Sequence, residues 1–171
     1  MNDSAADFDE DAEDGEQSIA NLYLIFHLDR EEYGIGIQHV TEIVGKQEIT
    51  RVPNLPGYVK GVINLRGKVI PVIDVRTRFG MPFREYDDRT CSIVINVGAL
   101  QFGLIVDVVD EVLHIDTENI SSPPAMADDL SNHFIQGMGR VTGDGRVKLL
   151  LKVECLFKDD EMEQLVGLKE A

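Results

Sequence analysis

The chain has 171 residues, 43% of them hydrophobic, and a formal net charge of −15. That is enough for a packed core in one domain or two small lobes. Such acidity argues against nucleic acid and anionic membrane surfaces as partners, and no apolar run approaches the ~18 residues of a membrane span, so no direct membrane insertion is expected.

Met1-Asn2-Asp3-Ser4 has neither a basic region nor an apolar stretch, and no secretory signal is expected. Residues 1–18 carry Asp7, Asp9, Glu10, Asp11, Glu13, Asp14 and Glu16 with almost nothing apolar, which predicts a disordered acidic tail. Order is expected from near Asn21. Leu22, Leu24, Phe26 and Leu28 alternate with Tyr23, Ile25 and His27, the period of a strand. Asp29–Glu32 reads as a turn into a second strand, Tyr33–Ile37. His39–Val44 suits either a short helix or a bent strand. Pro53, Pro56 and Gly57 rule out regular structure across Thr50–Gly57.

Two runs rich in Val and Ile, Val59–Leu65 and Val69–Val75, flank Arg66-Gly67 and predict a β-hairpin with a charged tip. Asp74 is placed to cap a helical turn over Val75–Phe79, ended at Gly80. After a polar linker, Cys91–Val97, Gln101–Val106 and Val108–Ile115 form a second series of strands. A polar loop, Asp116–Ser131, precedes a hairpin over Phe134–Val153, and a short helix is expected from Val153 to about Glu163.

The two series repeat. An offset of 69 puts Tyr33-Gly34-Ile35 on Phe102-Gly103-Leu104, Glu42 on Glu111 and Ile43 on Val112. An offset of 78 puts Gly61 on Gly139, Gly67 on Gly145 and Phe79 on Phe157. On that register Asn64-Leu65-Arg66-Gly67 stands opposite Thr142-Gly143-Asp144-Gly145, a plain turn. Arg66 therefore reads as specialised on a shared scaffold. Six of the 16 basic residues, Arg51, Lys60, Arg66, Lys68, Arg76 and Arg78, cluster in one stretch, either a solvated face or a contact region for an acidic partner.

No catalytic pattern emerges. There is no GxSxG elbow or P-loop, and Gly137-Met138-Gly139 lacks the third glycine of a dinucleotide fingerprint. His27, His39, His114 and His133 have no ligand spacing, so neither a metal nor another cofactor is expected. Cys91 and Cys155 read as buried free thiols, with a disulfide as the alternative.

Tyr33-Gly34-Ile35, Val40-Thr41-Glu42-Ile43, Thr50-Arg51-Val52-Pro53 and Gly61 to Gly67 with Ile70-Pro71-Val72-Ile73-Asp74 resemble the CheW family of bacterial chemotaxis coupling proteins. The resemblance spans about residues 20–160. It implies a mainly β fold of two packed five-stranded SH3-like barrels with short helices and a C-terminal helix. The lobes are expected at about 33–85 and 90–157, the second completed by strand 22–28, with a C-terminal tail at 161–171. The resemblance also implies a non-enzymatic adaptor, cytoplasmic at the receptor array. It would couple the cytoplasmic tips of methyl-accepting chemoreceptors to the regulatory domain of the histidine kinase CheA. Val40, Glu42, Gly61 and Arg66 match positions linked to receptor coupling, and Ile43, Asn64 and Leu65 join them as neighbours. Arg66 either meets a partner or holds Glu42. Residues for the kinase are unassigned. The acidic tail lies outside the family pattern, and no receiver or kinase segment accompanies the domain. A similar adaptor of a non-flagellar system such as pilus motility is the alternative. A small-ligand-binding or hydrolytic β-barrel is a further one.

Overall fold

The computed structural model describes residues 19–123, 133–141, 143 and 145–156. The expected acidic tail, the helix beyond Leu156 and the 161–171 tail lie outside the described residues. Eleven strands are described: β1 (Leu22–Leu28), β2 (Glu31–Gly36), β3 (Val40–Val44), β4 (Val59–Leu65), β5 (Lys68–Asp74), β6 (Cys91–Val97), β7 (Leu100–Val106), β8 (Val108–His114), β9 (Ile120–Ser121), β10 (Ile135–Arg140) and β11 (Val147–Leu151). The segment that suited helix or strand divides: Ile37–His39 is a single 3₁₀ turn and Val40–Val44 is strand. A short helix α1 (Val75–Arg78) follows β5, and Asp74 caps it by accepting the Thr77 N–H. Val153–Leu156 is a 3₁₀ turn.

The strands form two sheets, ordered β8-β1-β2-β11-β10-β9 and β3-β6-β7-β5-β4. The mainly β fold of two lobes that the resemblance implies is observed, with six strands in one sheet and five in the other rather than five in each. Strand 22–28 joins the second lobe as expected, but β2 goes with it, and β6 and β7 lie in the first. The sheets exchange their first two strands: β1 and β2 pair with strands of the second series, while β6 and β7 sit among strands of the first. The exchange is made by two antiparallel pairings, β1 beside β8 and β3 beside β6, and two parallel ones, β2 beside β11 and β7 beside β5. The repeated glycine of each series lies at these junctions. A Cβ on Gly34 would stand 2.9 Å from a Leu150 methyl, and one on Gly103 would stand 2.8 Å from a Val72 methyl.

The main core lies between the sheets rather than inside either. Leu24, Phe26, Leu28 and Ile35 of one sheet pack against Ile73, Ile93, Ile95, Phe102 and Leu104 of the other. Opposite faces of the same strands fill smaller cores: Ile63, Ile70, Val72, Val94 and Ile105 in one sheet, and Tyr23, Ile25, Ile115 and Leu150 in the other. Strands buried on both faces read as near-continuous apolar runs. A stack Phe26–Tyr33–Phe79–Phe134, with neighbouring centroids 5.2–5.5 Å apart, runs along the junction.

Polar groups also tie the lobes together. The Arg76 guanidinium, on α1, donates to Asp29 Oδ1 and to Asp107 Oδ2, each at 2.7 Å, and its Nε donates to the Pro82 carbonyl. Asp29 lies in the β1–β2 turn, and Asp107 stands where the chain passes from β7 to β8, from one sheet to the other. The arginine holds the Asp29 carboxyl below its usual range, and Asp29 in turn raises the arginine pKa. Arg78 Nε donates to the Leu156 carbonyl at 2.6 Å, and its guanidinium lies 4.5 Å from the Tyr58 ring centroid and 4.7 Å from that of Phe134. Two of the six clustered basic residues are thus inter-lobe ties rather than contact surface. Cys91 and Cys155 are free and half-buried rather than fully buried.

Candidate functional site

The candidate residues fall on two elements. Val40, Glu42 and Ile43 lie on β3, at one edge of its sheet. Gly61, Asn64 and Leu65 lie on β4, with Arg66 at the tip of the β4–β5 hairpin. Arg66 Nη2 donates to Glu42 Oε1, closing a salt bridge between the two elements. The Arg66 side chain is nevertheless 71% exposed, against 26% for Glu42. A cleft of about 250 Å³ opens beside the pair, lined by Thr41, Glu42, Leu65, Arg66, Lys68, Ile70 and Gln101.

A bulge shapes β3. Val40 pairs with Ile95 and Ile43 with Ile93, and the register shifts between Val40 and Glu42. Directly opposed residues point to the same face. Val40 and Ile43 therefore share the inter-lobe face, on which Ile93 and Ile95 are buried. Glu42, opposite Val94, points the other way, toward the hairpin tip. Val40 packs on the core between the lobes, while Ile43 is 43% exposed. The three residues are not one strip but two faces of one edge strand. Val112 occupies the matching place on β8. It is opposite Leu24, beyond a similar bulge, and 46% exposed. The pairing of Ile43 with Val112 in the repeat is the sequence signal for it, and Val112 was not among the candidate residues.

Gly61 is buried, so it is not itself a contact. Its φ is +146°, and a Cβ there would lie 2.1 Å from the Thr50 carbonyl oxygen. That carbonyl accepts the Val62 N–H at 2.9 Å, and Thr50 N–H donates to the Val62 carbonyl at 2.8 Å. Glycine is what lets the Ile49–Thr50 segment close onto β4. The bulge next to Gly61 fixes its counterpart. Val59 and Gly61 oppose Ile73 and Val72 as Ile135 and Gly137 oppose Leu151 and Leu150. The partner of Gly61 is therefore Gly137, not Gly139 as the constant offset had it.

The same registers revise the comparison of the turns. Asn64 pairs with Val69 and Arg140 with Val147, so the second hairpin connection is two residues longer. The two turns cannot be matched residue by residue, and Thr142 and Asp144 lie outside the described residues. A different observation singles out Arg66. Its φ is +52° and that of Gly67 is +86°, and Leu65 pairs with Lys68 across the turn. Positive φ at both central positions is the type I′ arrangement, which favours Asn-Gly. Asn64 Oδ1 accepts the Gly67 N–H at 2.9 Å and supports it. A β-substituted residue in the left-handed region costs about 1–2 kcal/mol. Arginine is a poor choice for this turn, so its side chain rather than its backbone accounts for its presence.

Only one group of potential metal ligands comes together among the described residues: His27, Glu32 and Asp110, all within 4.8 Å of one another. Glu32 is already committed to the buried Lys148 and also faces Arg146. That carboxylate has cationic partners, which opposes a metal ion.

Residues 22–161 match the family model for the CheW-like domain. The chemotaxis protein CheW of Klebsiella aerogenes is 39% identical over 146 residues, covering 85% of this chain and 87% of that protein. The chemotaxis protein CheW of Rhizobium meliloti is 34% identical over 140 residues, covering 82% and 89%. The crystal structure of the scaffolding protein TtCheW from Thermoanaerobacter tengcongensis is similar at a TM-score of 0.75 and 35% identity, covering 83% of this chain and 95% of that one. With its two-sheet fold and these matches across most of its length, the chain belongs to the CheW family of chemotaxis scaffold proteins.

Proposed function

We propose that this chain is a non-enzymatic coupling protein that joins the cytoplasmic tips of methyl-accepting chemoreceptors to the regulatory domain of CheA, in the cytoplasm at the receptor array. The receptor-coupling surface is formed by Val40, Glu42, Ile43, Asn64, Leu65 and Arg66, with Gly61 shaping the strand that carries them. The observation that carries this reading is the Glu42–Arg66 pair, placed on exposed, edge-located elements next to the uncovered Ile43. An arginine held at an unfavourable backbone angle and largely exposed suits an interface anchor. Ile43, on the opposite, inter-lobe face of the same edge strand, supplies an apolar contact of the kind a helical hairpin needs when it lies in a groove. A scaffold also requires rigid surfaces, which the core between the lobes and the Arg76 tie supply. The interiors of both lobes are filled by the small cores, which disfavours a ligand-binding barrel. No described helix is long and apolar enough to cross a membrane.

Co-sedimentation of the full chain with a chemoreceptor cytoplasmic fragment and CheA tests this function. The expected result is a ternary assembly that forms only when this chain is present. Kinase that assembles equally well with receptor in its absence would overturn the reading.

A further inference from the structure

A second cleft, of about 560 Å³, lies on the other side of Gly61, between the Ile49–Val52 segment, the start of β4 and the linker after α1. Its walls are Ile49, Val52, Val59, Phe83 and Tyr86, with Arg51 and Lys60 at the rim. Tyr86 is anchored, since its hydroxyl donates to Asp74 Oδ2 at 2.7 Å. Phe83 stands edge-on to Tyr86, with ring centroids 5.5 Å apart. At 57% it is the most exposed large apolar side chain among the described residues. Lys60 Nζ lies 5.3 Å from the Phe83 ring centroid. Arg51 is exposed, and among the described residues neither Arg51 nor Lys60 has a carboxylate partner. In a chain of net charge −15, two cations without carboxylates beside an uncovered aromatic ring define the chemistry of an occupant: an acidic segment with an aromatic side chain.

The chain itself contains one. Residues 1–18 have no Lys or Arg, and their sole aromatic side chain is Phe8, within Asp7-Phe8-Asp9-Glu10-Asp11. We propose that this segment docks in the cleft, with the Phe8 ring on Phe83 and Tyr86 and the flanking carboxylates on Arg51 and Lys60. The eleven-residue stretch to Ile19 extends to about 36–40 Å at most. A domain of this size has a radius of gyration of about 15 Å, hence a diameter of about 40 Å, so the extended stretch is comparable in length to the domain itself. Tethering supplies an effective concentration in the millimolar range. Even a weak aromatic and electrostatic contact is then occupied in cis. Docked there, the tail covers Phe83 and competes with any acidic partner segment that approaches beside Gly61. This inference does not depend on the coupling role.

Amide chemical shifts of the isotope-labelled full chain, without receptor or kinase, provide the test. Phe8→Ala is expected to move the signals of Arg51, Val52, Lys60, Phe83 and Tyr86, and Arg51→Glu with Lys60→Glu to move those of residues 7–11. A synthetic peptide of residues 1–18, added to the Phe8→Ala chain, should restore the parent shifts in a saturable manner that weakens at high salt. Cleft signals unaffected by Phe8→Ala would overturn the proposal. So would shifts that depend on protein concentration, which would assign the cleft to a second copy.

Discussion

Replacing Arg66 by glycine separates the turn from the anchor. The substitution removes the side chain that pairs with Glu42 but gives the turn a residue that accepts φ +52° freely. Relief of the left-handed conformation returns about 1–2 kcal/mol. The greater freedom of glycine in the unfolded chain takes back about 0.5–1 kcal/mol. Losing an ion pair whose arginine is 71% exposed costs about 0–1 kcal/mol. The sum runs from about −1 to about +1.5 kcal/mol, so urea unfolding of Arg66→Gly should stay close to the parent or exceed it slightly. Arg66→Ala keeps the strain and loses the pair, and should be less stable than Arg66→Gly. Both should bind a receptor fragment more weakly, by about 1–3 kcal/mol if Arg66 is an interface anchor, or about 5- to 150-fold in Kd. If Arg66 instead acts by positioning Glu42, Glu42→Gln reproduces the loss. Parent-like affinity of Arg66→Gly for both receptor fragment and kinase would refute the anchor argument. A stability loss above about 2 kcal/mol would show that the pair is structural.

Two further outcomes follow from the geometry. Gly61→Ala forces a Cβ against the Thr50 carbonyl at a φ that side chains avoid. Thermal unfolding should show a loss of at least about 2 kcal/mol, with weakened receptor binding as a consequence of the displaced Ile49–Thr50 segment. Arg76→Met removes the cation between Asp29 and Asp107 and leaves Asp107, 9% exposed, with Arg84 as its one charged partner among the described residues. A loss of about 3 kcal/mol near neutral pH is expected in urea unfolding. The Asp29 carboxyl is held below its ordinary value of 3.8 by Arg76. Its contribution is complete above that value and fades as the pH falls through the lower folded-state value. The Arg76→Met chain should therefore show a shallower loss of stability below about pH 4 than the parent; identical acid limbs would remove Asp29 from the tie.

Much of this protein was legible in its residues. Strand positions follow from alternation and apolar runs, which are local properties, and the 22–28 and 59–65 strands emerge with the expected ends. Asp74 capping α1 is equally local. The motifs around Glu42 and Arg66 carried the family. What the chain order does not reveal lies where distant segments meet: the two faces of β3, the register of Gly61, and the use of Arg76 and Arg78 as ties between the lobes rather than as a solvated face or a contact region. A bulge shifts which residues share a face without changing the composition of the strand, so no count along the chain reveals it.

The sequence by itself determined the β class, the two-copy plan and the residues that mark the family, because periodicity, turn chemistry and motif spacing are written along one dimension. Only the tertiary structure decided which strands share a sheet. The exchange of β1–β2 with β6–β7 depends on parallel pairings across more than a hundred residues in one case, Glu32 beside Lys148, and on glycines that let those strands approach. It also decided the meaning of charge: Arg76 became a tie between lobes because Asp29 and Asp107 converge on it, while Arg66 stayed exposed at a turn whose backbone would prefer another residue.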